Sequence, residues 1–514
     1  MVFWLLLVLG AVFVGAAIWI RRTFGPITVD QMIMNLVGGG EGVPSGYIET
    51  FIWQAIVIPI ALLVVAALLV RFVTRRITGP RAAHTHPELP SARGVSRWRG
   101  AVKPLVAIVA FSTGLAVFVQ VVGLDTFIRS IVTSVTMEKY YVVPDAEQTY
   151  RNAVQREDKP KNLVMIFLES GEESFSDPSL FGRNLNESLE EATADWQKFD
   201  RLETYEGGGW TMAGVVGTEC GVPLRGAGIF ATAGSPNDIG TDSDGYMPGA
   251  VCIGDVLDDA GYRSVFLGGA DASFASKKDF LKTHGYDEVL DYNDWHEMGE
   301  TQMSPWGLSD GRLMEQAKAE VTRLHDSGEP FNLTALTVDP HAPAFIHEYC
   351  PTDSDDETEK MAAATECSLQ QVAGFVDYMR EMGYLEDTVV FITGDHPKMT
   401  GEGEPFYEEM RGLTDRPLFN RLWNPDATEI ERTSIDQLSV YATLLDVLGL
   451  GRSDHRAGVG VSALVSPDGF DDDKSAITSL TRDEYSEVIT SRSPGLYEKL
   501  WDESGANTSE AADR

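Results

Sequence analysis

The sequence has few basic residues for its length. It carries 41 lysines and arginines against 77 aspartates and glutamates, a formal net charge of −36 over 514 residues. Such a charge repels phosphate backbones, so we expect no nucleic-acid partner; it suits an extracellular or salt-adapted surface instead. Cysteines are also scarce, and four in a chain of this length exclude a small disulfide-built scaffold. The chain is long enough to bury a large core.

Charge is missing altogether from three apolar stretches in the N-terminal quarter, at residues 3–20, 51–70 and 104–123. Each is about long enough to cross a bilayer as a helix. The first has no charged segment before it and no A-x-A cleavage site after it, so we expect a membrane helix rather than a signal peptide. The sequence therefore predicts a multi-pass cell-membrane protein in contact with the lipid bilayer.

The loop between the second and third stretches indicates the orientation. It carries one acid, Glu88, and eight bases: Arg71, Arg75, Arg76, Arg81, Arg93, Arg97, Arg99 and Lys103. By the positive-inside rule this loop is cytoplasmic, which places the N-terminus inside and everything after Gly123 outside. Arg21 and Arg22 then fall on the outer side, against the rule.

The rest of the chain has the pattern of an α/β domain. Helix-like stretches such as 311–328 and 366–383 alternate with four apolar, strand-like runs, at 162–170, 262–269, 331–339 and 388–396. This alternation predicts a central, mostly parallel sheet flanked by helices. We divide the chain into a membrane domain (1–124), a linker (125–160), a catalytic domain (161–503) and a disordered tail (504–514).

Chemistry-bearing residues follow several of these runs. In parallel sheets ligands bind beyond the carboxyl ends of strands, and Glu169, Asp395 and His396 stand there. One such acid is ordinarily a solvated turn residue, but several together predict a site. With the hydroxyl of Thr211 they offer a mixed oxygen and nitrogen site that suits one Mn²⁺ or Zn²⁺ ion. His341 is either an ordinary loop histidine or a proton donor to a leaving or entering oxygen.

Thr211 lies in the stretch GGGWTMAGVVGTECGVPL, residues 207–224. Glycines permit strained backbone and close approach of a ligand, and a strained turn is one way to present a nucleophilic hydroxyl. The alternative is a flexible surface loop. A bound metal would lower the pKa of the Thr211 hydroxyl and polarise a phosphoryl oxygen, so no adjacent base is needed.

The same stretch resembles the nucleophile segment of the membrane phosphoglycerol transferases that decorate osmoregulated periplasmic glucans. Further segments resemble that family in the same order, over about residues 160–465: VCIGDVLDDAGY, FLKTHGYDE, WGLSD, TALTVDPHAP and ITGDH. The wider group includes lipoteichoic acid synthases and lipid A phosphoethanolamine transferases. Its members share an alkaline-phosphatase/sulfatase-like fold, which the resemblance implies here for the extracytoplasmic domain.

The resemblance also implies roles for individual residues. Glu169, Thr211, Asp395 and His396 are implied to hold one divalent metal, most suitably Mn²⁺, with Zn²⁺ or Mg²⁺ as alternatives. Thr211 is also the implied nucleophile, and His341 matches the substrate-side histidine.

The implied headgroup pocket contains Asp271, Phe274 and Lys277. Lys277 stands where lipoteichoic acid synthases have arginine, which leaves its phosphate contact open. Trp306 and Asp310 match family segments, but the resemblance gives them no role.

The implied reaction moves glycerophosphate from phosphatidylglycerol, through a threonine-linked intermediate, to a hydroxyl of a glycan or glycolipid. Three alternatives stay open: a phosphoethanolamine transferase, a sulfatase-like hydrolase and a non-catalytic membrane protein with the same fold. A sulfatase needs C/S-x-P-x-R, and in CGVPLR Cys220 is one residue too far from Pro223.

Four cysteines in an oxidising compartment are expected to pair, although four buried free thiols are the alternative. Four cysteines allow three connectivities. The resembling transferases carry cysteines in similar places, which implies Cys220–Cys252 and Cys350–Cys367. The second pair brackets the acidic stretch 351–366, which we expect to be a loop whose crowded acids repel one another.

Overall fold

The computed structural model describes residues 2–25, 27–29, 31–32, 45–77, 93–133, 135–144, 159–226, 245–466 and 476–502. The chain divides into two compact units, one formed mainly by residues 1–29 and 44–127, the other mainly by 128–400 and 404–514. The predicted tail, the predicted linker from 145 to 158 and the middle of the basic loop lie outside the described residues.

Long apolar helices form the N-terminal unit: α1 (Val2–Thr23), α2 (Ser45–Phe51), α3 (Ile58–Ile77) and α4 (Arg93–Val121). A π-helical segment, Ile52–Val57, joins α2 to α3. Among the residues that the structure describes, three stretches are long and apolar enough to cross a membrane, Val2–Thr23, Ile48–Leu69 and Pro104–Val121, in agreement with the predicted spans. Leu62 and Leu69 of α3 are 64% and 58% exposed, a costly arrangement in water and a normal one in lipid.

The second unit is built on a six-stranded sheet among the described residues, with strand order β4-β3-β5-β1-β6-β7. Every neighbouring pair is parallel except β6 with β7. The strands are β1 (Asn162–Leu168), β3 (Arg263–Gly268), β4 (Glu288–Leu290), β5 (Phe331–Leu336), β6 (Thr388–Gly394) and β7 (Asn420–Trp423). Smaller pairs join β2 (Arg201–Glu203) to β8 (Ser434–Asp436) and β9 (Arg456–Ala457) to β10 (Gly460–Val461).

Helices cover both faces of this sheet, which explains why its central strands are apolar throughout rather than alternating. Within β1, Met165 and Phe167 enter one core, and Ile166 and Leu168 enter the other. The helices are α5 (Leu124–Val132), α6 (Pro178–Phe181), α7 (Glu187–Ala192), α8 (Thr211–Cys220), α9 (Ile253–Asp259), α10 (Lys277–Thr283), α11 (Tyr292–Glu297), α12 (Asp310–Ser327), α13 (Glu357–Glu381), α14 (Tyr407–Met410), α15 (Leu438–Leu448), α16 (Arg482–Thr490) and α17 (Pro494–Leu500). The predicted α/β architecture is confirmed.

One local prediction was wrong. The sequence analysis treated the acidic stretch 351–366 as a loop, but α13 begins at Glu357, inside that stretch. The side chain of Asp356 accepts a hydrogen bond from the backbone N–H of Glu359 and so caps the helix. Acids in the first turn also favour the positive end of the helix dipole. The crowded acids therefore start a helix rather than prevent one.

The segment after the third span belongs partly to the second unit. Helix α5 lies inside the predicted linker except for its first residue, Leu124, and the carbonyl oxygen of Ser130 accepts a hydrogen bond from the N–H of Arg492. The N–H of Met137 donates to Ser493 Oγ at 2.8 Å. These bonds tie the beginning of the predicted linker to the C-terminal helices. The boundaries at 124, 160 and 503 stay predictions.

Candidate active site

Three ligand-type side chains follow two neighbouring strands and lie close together beyond the strand ends. Strands β1 and β6 run parallel with Leu168 opposite Gly394, so the residues that follow them emerge side by side. Glu169 follows β1, and Asp395 and His396 follow β6. One ligand atom from each of the three lies within 4.8 Å of the others, and all three side chains are buried. The structure thus brings together the three strand-end residues that the sequence singled out.

Hydrogen bonds from neighbouring backbone and side-chain groups hold the two carboxylates in place. The N–H groups of Ser170 and His396 both donate to Asp395 Oδ1, each at 2.8 Å. Ser170 Oγ donates to Glu169 Oε1 at 2.6 Å, and the N–H of Glu169 donates to Thr337 Oγ1 at 2.9 Å. Asp395 Oδ2, in contrast, is buried without a hydrogen-bond partner. A buried, unpartnered carboxylate oxygen is costly unless a cation neutralises it.

The tautomer of His396 follows from its surroundings. Its Nδ1 lies 2.7 Å from the carbonyl oxygen of Pro397, which can only accept, so Nδ1 carries the proton and Nε2 keeps its lone pair. That Nε2 lies 3.6 Å from Asp395 Oδ2 and 3.9 Å from Glu169 Oε1. Ligands about 2.1 Å from a tetrahedral metal are separated by roughly 3.4 Å. The donor set and its spacing therefore fit one divalent cation.

The pKa shifts of the two acids also favour a divalent cation at this site. Burial raises the pKa of Asp395 to about 6, with the Glu169 carboxylate adding to the effect and His396 opposing it. Burial alone would also raise the pKa of Glu169, but His341, His396 and Lys398 together hold it below its usual value. Two acids thus share a dry site with two histidines and one lysine, and a divalent ion would add positive charge beside the carboxylates.

Thr211 occupies a different setting from the one predicted. It is neither in a strained turn nor in a surface loop, because it is the first residue of α8, a helix buried from Met212 to Cys220. The unusual backbone lies earlier, at Gly207, where φ is +100°. A Cβ on Gly214 would lie 1.8 Å from the carbonyl oxygen of Asp395, so only glycine permits this approach. The first turn of α8 therefore packs against the loop that carries the metal-ligand candidates.

This placement suits a nucleophile at the start of the helix. Thr211 is half-buried and precedes Gly214 by three residues, about one turn. Helix N-termini stabilise negative charge, whether an alkoxide or a phosphoryl group. The hydroxyl of Thr211 as fourth ligand and nucleophile stays a prediction.

His341 follows β5 and is half-buried. Its Nδ1 lies 2.9 Å from the carbonyl oxygen of Ala342, which leaves Nε2 as the nitrogen that can exchange a proton with a substrate. Burial lowers the pKa of His341, while the Glu169 carboxylate opposes that shift. The ring of Trp306 packs on it with 3.7 Å between the ring centroids.

The predicted headgroup residues follow β3. Asp271 Oδ1 accepts from the N–H of Ser273 at 2.8 Å and shapes the turn that leads to Phe274 and α10. Lys277, the first residue of α10, is only 4% exposed. Burial lowers its pKa, and the carboxylates of Asp395, Glu169 and Asp271 oppose that effect, so the ammonium group lies in the field of the metal-ligand candidates. Its role toward a substrate stays a prediction.

Sequence reasoning missed one cation at this site. Lys398 is 4% exposed, and its Nζ donates to the carbonyl oxygen of Pro340 at 2.6 Å. It also holds down the pKa of Glu169. Lys398 therefore joins the loop after β6 to the loop after β5. The only available signal was its position two residues after His396 in GDHPK, which does not reveal a partner 58 residues away.

The cysteines are joined as Cys220–Cys252 and Cys350–Cys367, the pairing that the resemblance implies. Cys220 ends α8, which places it about 14 Å from the Thr211 end of a ten-residue helix. A disulfide-bonded Cys220 cannot be the formylglycine precursor of a sulfatase.

A second group of metal-ligand residue types, Cys252, Asp255 and His284, has a structural explanation. Cys252 is in the disulfide, and His284 lies 2.7 Å from Asp255 and 3.0 Å from the carbonyl oxygen of Tyr246. We therefore assign no metal to it.

The mostly parallel sheet, with carboxylates and a histidine beyond two of its strand ends, defines an α/β domain with a candidate metal site at the carboxyl edge of the sheet. The chain belongs to the Sulfatase family, whose model matches residues 161–450. A solved structure with the same fold is the lipoteichoic acid synthase LtaP from Listeria monocytogenes, with a TM-score of 0.50 and 17% identity over 65% of this chain and 79% of that one.

Curated relatives are more similar in sequence. The chain is 35% identical over 267 residues to Phosphoglycerol transferase I of Xanthomonas campestris pv. campestris (strain B100), covering 51% of this chain and 36% of the relative. It is 29% identical over 330 residues to Phosphoglycerol transferase I of Salmonella arizonae, covering 62% and 41% respectively. The aligned region thus spans well under half the length of these relatives.

Proposed function

We propose that this chain is a membrane-anchored, metal-dependent phosphoglycerol transferase. The observation that carries the proposal is the buried cluster of Glu169, Asp395 and His396, with the unpartnered Asp395 Oδ2, beside the first turn of α8. The similarity to curated phosphoglycerol transferases supports the choice of headgroup. Phosphatidylglycerol is the proposed donor, and a hydroxyl of an extracytoplasmic glycan or glycolipid is the proposed acceptor.

The cation would be held by Glu169, Asp395, His396 and Thr211, with Mn²⁺ as the first choice and Zn²⁺ or Mg²⁺ as alternatives. When bound, it would supply positive charge that lowers the pKa of the threonine hydroxyl and polarises a phosphoryl oxygen. Lys277 and Asp271 are the proposed contacts for the phosphate and glycerol hydroxyls of the headgroup, and Phe274 is the proposed contact for its carbon atoms.

Transfer proceeds in two balanced steps. In the first, Thr211 Oγ forms a bond to phosphorus and the bond from phosphorus to the diacylglycerol oxygen breaks; the threonine proton goes to solvent, and protonated His341 gives its Nε2 proton to the leaving oxygen. In the second, the acceptor oxygen bonds to phosphorus and the Thr211 Oγ–phosphorus bond breaks. The acceptor proton goes to His341 Nε2, which restores the protonated histidine, and Thr211 Oγ regains a proton from solvent.

A phosphoethanolamine transferase is the remaining alternative among enzymes. It would use the same metal and threonine and differ in the pocket at Asp271, Phe274 and Lys277. We favour glycerol because the similar curated proteins are phosphoglycerol transferases.

Headgroup-labelled lipids test this function. Purified protein with Mn²⁺ should transfer label from phosphatidylglycerol, and not from phosphatidylethanolamine, to a glycan acceptor. Mass spectrometry of the peptide that contains Thr211 should show a glycerophosphate adduct when the acceptor is withheld. A phosphoethanolamine adduct would establish the alternative, and the absence of any adduct with either lipid would contradict the transferase proposal.

The reaction requires the catalytic domain on the side where the acceptor is found. We propose three membrane helices, a cytoplasmic basic loop and an extracytoplasmic domain after residue 123. Alkaline phosphatase fused after Gly123 should be active, because it folds with its disulfides only outside the cytoplasm. A fluorescent or β-galactosidase reporter that is active at that position instead would refute this orientation.

A further inference from the structure

Asp310 lies under the loop that carries His341, which we call the His341 loop (residues 338–341). The Asp310 side chain is fully buried. Its Oδ1 accepts from the N–H of Val338 at 2.8 Å, and its Oδ2 accepts from the N–H of Asp339 at 3.0 Å. One carboxylate therefore holds two consecutive peptide groups just before the histidine.

Asp310 and Asp339 each accept a hydrogen bond from the backbone of the other residue. The N–H of Asp310 donates to Asp339 Oδ2 at 3.0 Å. Tyr349 donates its hydroxyl to the same oxygen at 2.6 Å, and Ser368 Oγ donates to Asp310 Oδ2 at 2.6 Å. Asp339 follows β5 much as the metal-ligand candidates follow β1 and β6, but its Oδ2 accepts hydrogen bonds from Asp310 and Tyr349 within this network.

The other end of the loop is held as well. The ammonium group of Lys398 donates to the carbonyl oxygen of Pro340, and the ring of Trp306 packs on the ring of His341. Trp306 and Asp310 are the first and last residues of WGLSD, so one short segment contacts both the backbone before the histidine and its side chain.

We propose that Asp310 and Trp306 are positioning residues that hold His341 Nε2 where it exchanges a proton with the leaving and entering oxygens. This inference rests on the proposed function. The Asp310 carboxylate is fully buried and accepts three hydrogen bonds, and two of them come from the backbone of the loop that carries His341. Displacement of a catalytic group by about 1 Å can cost roughly a hundredfold in rate.

A comparison of leaving groups that do and do not need a proton distinguishes residues that position His341 from residues that only support the fold. Diacylglycerol leaves as an alkoxide and needs a proton, whereas p-nitrophenolate leaves without one. We therefore compare two donors, phosphatidylglycerol and glycerol p-nitrophenyl phosphate, by the single-turnover rate of Thr211 adduct formation without acceptor. In the second case the phosphorus–nitrophenolate bond breaks and the threonine proton goes to solvent.

Asp310→Asn should slow adduct formation from phosphatidylglycerol by about ten- to a hundredfold, because an amide cannot accept at both positions. The rate with the nitrophenyl donor should change by no more than about threefold, because that step needs no acid. Trp306→Leu places no new polar group in the core and serves as the second variant. It should show the same pattern with a loss of about three- to tenfold.

Asp387→Asn is the matched control. Asp387 also accepts side-chain hydrogen bonds, from Lys159 and Asn162, but it precedes β6, at the opposite end of that strand from Asp395. The Asp387→Asn variant should leave the rates of adduct formation from both donors unchanged. Equal losses with both donors in Asp310→Asn and Trp306→Leu, or no loss with either, would overturn the positioning role. No adduct in the wild-type protein with either donor would overturn the proposed function and this inference with it.

Discussion

Replacing Thr211 by alanine should reduce headgroup transfer by at least about a thousandfold and abolish the covalent adduct, because the attacking oxygen is lost. The fold should survive. Thr211 begins α8 half-buried, and the helix is anchored by its buried residues from Met212 to Cys220 rather than by its first side chain. The measurements are the rate of label transfer and the mass of the peptide that contains residue 211, with a thermal melt as the check on folding.

Thr211→Ser is the control for this variant. It keeps a hydroxyl at the same position in the first turn of α8 and should retain adduct formation. Activity of Thr211→Ala above about a tenth of wild type would show that another group, or water, attacks the phosphorus. Loss of the cooperative melt in Thr211→Ala alone would instead show that the residue supports the helix.

The sequence predicted the sheet well because each central strand is buried on both faces. A continuous apolar run such as residues 163–168 is then enough to predict a strand, and the polar side chains that follow the run are the candidate site residues. Glu169 and Asp395 were found in this way even though they lie 226 positions apart, because parallel strands share one functional edge.

The elements that were missed depend on contacts that no local pattern contains. Helix α8 is rich in glycine and β-branched residues, which have low helix propensity, so the sequence suggested a turn or loop. Its helical form is fixed by burial and by the contact of Gly214 with the backbone of Asp395. The acidic stretch 351–366, in which α13 begins, was misjudged for a related reason, since its charge was counted as repulsion and the cap at Asp356 was overlooked.

Residues that hold the candidate site residues in place could not be predicted from the sequence either. Asp310 was noticed only as a match to a family segment, because its partners lie 28, 29 and 58 residues away. Lys398 was not noticed at all. Candidate ligands can be predicted from residue type and strand position, whereas the residues that hold them require the three-dimensional contacts.

Removal of the divalent ion should abolish transfer and lower the melting temperature of the catalytic domain. Without a cation, Asp395 Oδ2 is buried without a partner and faces Nε2 of His396 and the Glu169 carboxylate. A ligand present at a hundred times its Kd stabilises the folded state by about 2.7 kcal/mol. Chelated protein should therefore be inactive and less stable, and Mn²⁺ added in excess should restore both properties. Activity assays and thermal melts, with elemental analysis of the metal content, provide the measurement.

Asp395→Asn distinguishes a metal site from a general effect of salt. Burial raises the folded-state pKa of Asp395 to about 6, so above that pH the ionised side chain opposes folding when no cation is bound. At pH 8 with chelator, Asp395→Asn should therefore be at least as stable as the wild type, whereas with Mn²⁺ the wild type should be the more stable of the two. Asp387→Asn, at the other end of β6, should keep the full Mn²⁺-dependent shift. Equal stabilisation of Asp395→Asn and wild type by Mn²⁺, or full activity in protein shown by elemental analysis to hold no divalent metal, would disprove the metal site.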